Sequence, residues 1–298
     1  EIMISSNNLL KPSSGEPIVN AQQDVVLGCY FLTSVEEGAR GEGKVFSEPS
    51  EAIYAYQDKH IELRAAIKVR IDGTIIDTTA GRLLFNEALP EGIAFKNEDQ
   101  NKSSLKQVMA EVFATYGNEE TAKLADAIKE LGFRYATLSG FSIGMDDLIT
   151  PKNKPELIAE GDKRTVDLLS QYNQGLITDQ ERREKVVENW KDIASRVEAE
   201  IEKELSPENS TFAIDIASGA KSGLKQVNQM AGMRGLMLSP AGRIIELPVK
   251  SNYKEGLSVL EYFVSTHGAR KGLTDTALRT AESGYLTRRL VDVAQDIL

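Results

Sequence analysis

From Asn252 to Leu298 the sequence reads NYKEGLSVLEYFVSTHGARKGLTDTALRTAESGYLTRRLVDVAQDIL, with no proline and with apolar residues at helical spacing from Leu257, Leu260 and Phe263 through Leu273, Ala277 and Ala281 to Tyr285, Leu290 and Val293. The pattern predicts one helix over 256–296, a rod of roughly 60 Å, far longer than an average globular helix. Gly268, Gly272 and Gly284 lie inside it, and each costs about 1 kcal/mol relative to alanine. Two readings account for them: a neighbouring backbone packed close, or a helix that bends or lays bare backbone against a ligand. The polar residues favour the second. His267, Arg270, Lys271, Arg279, Arg288 and Arg289, with Thr274, Thr276, Thr280 and Thr287 as hydroxyl donors, suit phosphate contacts.

The charge balance qualifies that reading. A chain of 298 residues and 41% hydrophobic content can bury a core, but a formal net charge of −10 argues against an autonomous nucleic-acid binder. The charge is segregated: from 251 to 298 six cations balance six anions, so the remainder holds the whole acidic excess. The single cysteine, Cys29 in VVLGCYFL, excludes an internal disulfide and a multi-thiolate zinc site and reads as a buried small hydrophobe. Only His60 and His267 are present, so no histidine-rich metal motif is available. No long apolar run or signal-peptide pattern occurs, so the expectation is a soluble, cytoplasmic protein with no membrane partner. Glu1 is not a natural start, and the chain reads as an excised piece.

Along the chain, residues 1–20 read as irregular, followed by a helix at about 22–32. Ile67, Val69 and Ile71 alternate with Lys68 and Arg70, Asp72-Gly73 supplies a turn, and Ile75-Ile76 begins the return of a β-hairpin. An apolar stretch then ends near Phe85. Leu105, Val108, Met109 and Val112 share a helical face that Gly117 stops, and a second helix runs from Asn118 to Gly132, making two short antiparallel helices. Val186, Trp190, Ile193, Val197 and Ile201 form a heptad-like stripe, preceded by a shorter one of Val166, Leu169 and Tyr172. Asn173-Gln174-Gly175 breaks the two, and Thr178-Asp179-Gln180-Glu181 is a capping box, so 156–204 is expected to be an antiparallel helical hairpin. Ten cations against fourteen anions over 151–210 make this region acidic. Such a hairpin serves as a spacer or packing arm unless something grips it. The fold class expected is mainly α with small β elements (α+β).

The strings STHGARKGL, DTALRTA and SGYLTRRLVDVAQD closely resemble the bridge helix of the largest (β′) subunit of bacterial multisubunit RNA polymerase. MAGMRGLM resembles the F-loop region that supports that helix, and SSNNLLKPSSGEPI with QDVVLG resembles the stretch just past the metal-binding loop. FRYATLSGFSIGMDDL resembles the pore lining, and YNQGLITDQERREKV the tip of the secondary-channel coiled coil. The resemblance spans the whole chain in order. It implies a pore-region module with the β-hairpin (1–100), a helical funnel module (101–155), the coiled-coil hairpin (156–204), the F-loop region (205–250) and the bridge helix (251–298).

The resemblance also implies site residues. Thr280 and Ala281 would pack under the template base and the new base pair, Arg270, Lys271, Tyr285 and Arg288 would lie at the template phosphates, and Gly272 and Gly284 would permit bending. Tyr172, Gly175, Leu176, Asp179 and Arg182 would contact regulators; Arg183-Glu184 stands where relatives carry Tyr-Asn, a departure from the residues of a nucleotide-alarmone site. SGAKSGLKQVNQ stands where the family has SGARG, whose arginine faces the triphosphate, with a second arginine after it, so at these positions Lys221 would keep the charge without bidentate geometry and Asn228 would lose it. Gly219-Ala220-Lys221-Ser222-Gly223 lacks P-loop spacing.

Nucleotidyl transfer in this family uses two magnesium ions held by an aspartate loop of the type NADFDGD, which this sequence lacks. The ligands are therefore expected outside the chain, no catalytic residue is assigned within it, and Asp146-Asp147 reads as a surface or capping pair. The function implied is that of a polymerase fragment, inactive alone, that channels nucleoside triphosphates and supports translocation. Its partners would be the rest of β′ with β, α, ω and σ, together with template DNA, RNA, nucleotides and secondary-channel regulators. The alternative is a non-catalytic scaffold whose acidic hairpin docks regulators.

Overall fold

The computed structural model describes residues 4–205 and 210–297, and the chain divides into two compact units. The first holds α1 (Asp24–Thr33), β1 (Val45–Phe46), α2 (Pro49–Gln57), β2 (Ile67–Ile71), β3 (Thr74–Thr78), α3 (Ala80–Glu87), α4 (Lys102–Ser139) and, after a return of the chain, α7 (Thr211–Ser218). The second holds α5 (Lys154–Asn173), α6 (Asp179–Glu204), α8 (Leu224–Ala231) and α9 (Val259–Ala294). The expected class, mainly α with a small β element, is the one observed.

In the first unit the expected hairpin is present: β2 and β3 pair antiparallel with Ile71 opposite Thr74, and Asp72 and Gly73 take φ of 49° and 83°, as a two-residue type I′ turn requires. β1 adds in parallel on the other side of β2. Ile67 and Val69 face a core of Ala52, Ile53, Ile61 and Leu83, while Lys68 and Arg70 point to solvent. The apolar stretch ending at Phe85 is helix α3, capped by Thr79, whose Oγ1 accepts from the Arg82 N–H at 3.1 Å.

α4 breaks at Gly117, at φ 75° and ψ −163°, where the sequence places a stop. It does not end at Gly132, however, but continues to Ser139. The cause is a helix crossing: a Cβ on Gly28 of α1 would lie 1.8 Å from the Gly132 carbonyl oxygen, so Gly132 marks close approach rather than termination. Around that crossing Val26, Leu27 and Leu32 pack with Leu105, Val108, Val112, Leu124 and Ile128. Cys29 is buried here, and burial pushes its thiol up to about 12; it is the small core hydrophobe expected.

In the second unit α5 and α6 form the expected hairpin, with Val186, Trp190, Ile193, Val197 and Ile201 all buried. The capping box is also present: Glu181 N–H donates to Thr178 Oγ1 and Thr178 N–H to Glu181 Oε2. The first stripe is not the buried face of α5. Val166, Leu169 and Tyr172 are exposed by 63%, 41% and 40%, while Gly161, Thr165 and Leu168 turn away from solvent. The Trp190 ring sets this choice, since a Cβ on Gly161 would already be 3.0 Å from its Cζ3. Asn189 Nδ2 donates to Gly161 O at 3.0 Å across the same seam.

α9 starts later than the pattern suggests. Residues 252–257 form turns with Gly256 at φ 87°; Ser258 then caps the helix, which runs unbroken through Ala294 into a 3-10 turn at Gln295–Ile297. Leu298 lies outside the described residues. At 36 residues α9 is about 54 Å long.

Candidate functional site

Two groups of side chains in the second unit carry the chemistry singled out from the sequence: the surface of α9, and the end of the α5–α6 hairpin with the segment that packs on it.

α9 buries only Val264 and Ser265 among its described residues. Leu273, Leu278, Tyr285, Leu290 and Val293 are each at least 60% exposed, so the apolar spacing that predicts the helix is left without a cover among the described residues. Gly272, Thr276, Thr280, Gly284 and Arg288 follow at intervals of four and form one ridge. Arg270 and Arg288 stand five turns apart on a single line, about 27 Å from each other. Nothing lies within 4 Å of a Cβ placed at Gly272 or Gly284, and the helix is not broken at either, so close packing within the described residues accounts for neither glycine. Gly268 differs, with Met237 Cε 3.1 Å from the same construction.

The threonines correct one expectation. Oγ1 of Thr274, Thr276, Thr280 and Thr287 donates to the carbonyl four residues back, at 2.8–3.0 Å, so these hydroxyl protons are used inside the helix and the residues present methyls and lone pairs outward. The cations are left as the outward donors. Lys271 pairs with Asp275 at 3.6 Å and Arg288 with Asp292 at 3.8 Å, Arg289 lies over the Tyr285 ring, and Arg270 and Arg279 make no ion pair among the described residues. Ala281 is exposed. A row of weakly engaged arginines on a bare helix can bind phosphate groups without breaking strong internal pairs.

At the hairpin end, Tyr172 and Leu176 are exposed, Leu176 by 68%, and Gly175 turns the chain at φ 75°. Arg182 is already engaged: its guanidinium bonds Asp179 at 2.7 Å and Glu246 at 2.5 Å, its side chain is 12% exposed, and it lies 5.5 Å from the Tyr172 ring. Arg183 Nε reaches the same two carboxylates, at 2.9 and 3.2 Å. The Arg182 guanidinium beside Asp179 holds that carboxyl below its ordinary range, against a smaller desolvation effect.

Glu246 belongs to a ribbon within 205–250, the region that resembles the F-loop. Gly235 pairs with Val249 and Leu238 with Ile244, and the returning strand leads into Lys250, whose Nζ bonds Asp162 at 2.6 Å and lies over Trp190. Lys250 and Ser251 N–H both donate to Glu261 Oε1, and Ser251 Oγ, Ser258 N–H and Ser258 Oγ donate to Oε2. Burial pushes the Glu261 carboxyl up, but the bonds from Ser258 and Ser251 outweigh it and hold its pKa at about 2. The signal was readable, because Ser258-Val259-Leu260-Glu261 is a capping box.

Lys221 is exposed in the first unit and Asn228 is buried in the second. Asn228 is occupied structurally: Nδ2 donates to Ala194 O at 3.4 Å and Oδ1 accepts from Met233 N–H at 3.3 Å. Asp147 Oδ2 caps its own 3-10 turn by accepting from Gly144 N–H at 2.7 Å, the capping role expected of that pair. Among the described residues no group of three or more acidic, histidine or cysteine side chains could hold a metal ion, and no helix is long and apolar enough to cross a membrane.

Comparison with known proteins matches three family models in chain order: RNA polymerase Rpb1, domain 3, over residues 8–148; domain 4 over 173–256; and domain 5 over 256–298. Similar curated relatives include the DNA-directed RNA polymerase subunit beta' of Moorella thermoacetica (48% identical over 300 residues) and of Dehalococcoides mccartyi (48% over 299). That of Desulforudis audaxviator is 48% identical over 298 residues. Each alignment covers 100% of this chain but only 26%, 23% and 26% of the respective relative, so the chain spans about a quarter of their length.

Proposed function

The chain belongs to the bacterial RNA polymerase β′ family, and from that premise we propose that it serves DNA-directed RNA synthesis by lining the channel through which nucleotides reach the active centre and by supporting template translocation. The observation that carries this reading is α9 itself, a helix of 36 residues whose apolar and cationic surface has almost no partner among the described residues. In this reading Arg270, Lys271 and Arg288 hold template phosphates, Thr280 and Ala281 offer small apolar contacts beneath the new base pair, and Gly272 and Gly284 let the strand approach the backbone. The other β′ segments and the β and α subunits cover the remaining faces, with ω and σ as further partners. The exposed Tyr172 and Leu176 at the hairpin end support a second role, docking of regulators.

Magnesium, supplied by residues outside those described here, would stabilise the attacking and leaving oxygens. In this reading the contribution of this chain is positional: its cations hold the template and its glycines admit the strand. Lys221 is the side chain open to a triphosphate; Asn228 acts by fixing α8 to the hairpin. The segment does not polymerise alone. Reconstitution with the missing β′ segments, β and the α dimer tests the reading: templated RNA synthesis is expected, and inactivity of a correctly assembled complex overturns it.

A further inference from the structure

Arg182 and Arg183 face two carboxylates, Asp179 and Glu246, and the four charges cancel within one cluster. Asp179 stands one helical turn away on α6 and cannot leave, whereas Glu246 is brought in by the ribbon. The two carboxylates leave Arg182 no open donor face: its side chain is 12% exposed, although the neighbouring Tyr172 and Leu176 are open. An incoming carboxylate therefore has to replace Glu246 to reach the guanidinium. The ribbon is short: Gly235 and Val249 exchange two N–H···O bonds of 2.9 Å, Ile245 N–H reaches Met237 O at 2.8 Å and Ser239 N–H reaches Arg243 O at 2.8 Å. Its return strand enters Lys250 and Ser251, which hold the Glu261 carboxylate and through it the first turn of α9.

We propose that Glu246 is an intramolecular competitor for the partner site at the hairpin end: an acid-bearing protein partner binds Arg182 by exchanging with Glu246, and the exchange loosens the ribbon that fixes the start of α9. The inference rests on the reading of Tyr172 to Arg182 as a regulator contact, and it adds the chemistry of the partner and the group it displaces. A partner's carboxylate gains a bidentate pair, the ribbon loses its anchor at Glu246, and a signal at the hairpin end arrives at the helix that the proposed function places on the template.

The test uses the assembled enzyme carrying this chain and an octaglutamate peptide as probe. Glu246→Gln is expected to bind the peptide about tenfold more tightly than wild type and to speed amide exchange at Gly235, Ile245 and Val249 by a similar factor. Adding Arg182→Gln is expected to abolish the gain in affinity. The charge-swapped pair Arg182→Glu with Glu246→Arg is expected to restore slow exchange, which separates loss of the pair from general damage. Equal peptide affinity of wild type and Glu246→Gln, unchanged exchange in the ribbon, or failure of the swapped pair to restore protection each overturns the proposal. Templated synthesis is scored separately on the same preparations, so its loss counts against the polymerase reading and not against the competition.

Discussion

Gly28 of α1 and Gly132 of α4 cross so closely that a methyl group on Gly28 would stand 1.8 Å from the Gly132 carbonyl oxygen. Neither helix can give way alone, because the atom in conflict is backbone and Cys29 beside it is fully buried. Gly28→Ala is expected to destabilise the first unit by about 3 kcal/mol or more, read as a fall in its denaturation midpoint. A loss below about 1 kcal/mol would show that the crossing is looser than described.

The Glu261 carboxylate gives α9 a pH dependence of definite sign. Its folded pKa of about 2 lies below the ordinary 4.5, so the stability it contributes is present above about pH 4.5 and is lost as the pH falls towards 2. Amide protection in the first turn of α9 should fall across that window in wild type. Glu261→Ala should remove the dependence and cost about 1–2 kcal/mol of protection at neutral pH.

Asn189 sits beside Thr165 in a largely apolar seam, 8% exposed, with its Oδ1 unpaired. Its bond to the Gly161 carbonyl is dispensable, since Thr165 Oγ1 donates to the same oxygen at 2.8 Å. Asn189→Leu is expected to stabilise the hairpin by about 1 kcal/mol, measured as a raised unfolding midpoint of the helical signal. Destabilisation would mean that the amide is worth more than its unpaired oxygen costs.

These cases show where the sequence was legible. The α6 stripe, the capping box at Thr178, the turn at Asp72-Gly73 and the long α9 rest on local spacing or local backbone chemistry, and each is where the pattern puts it. The inward face of α5 is not legible in apolar spacing, because Gly161 lies there by being small enough for the Trp190 ring and Thr165 by bonding Asn189. The end of α4 is not legible at Gly132, because glycine has the same letter whether it stops a helix or admits a neighbour. The Glu246 pair joins residues 64 apart in sequence, and no periodicity reports such a contact.

The hydroxyl bonds of α9 separate two ways in which Thr280 could serve synthesis. Thr280→Val keeps the branched shape and removes a proton already spent on the Thr276 carbonyl, so the assembled enzyme should add nucleotides within about threefold of the wild-type rate. Arg288→Gln removes an outward cation and should weaken template retention by tenfold or more, with a shallower salt dependence of binding. A severe defect in the valine variant with a mild one in the glutamine variant would reverse the assignment.

The central claim is that the bare ridge of α9 lies on the template, and photo-crosslinking tests it most directly. A benzophenone attached at Ala281→Cys in the assembled, actively transcribing enzyme should label the template strand at the site of nucleotide addition. Label found only on neighbouring protein, in an enzyme still making RNA, would contradict the account.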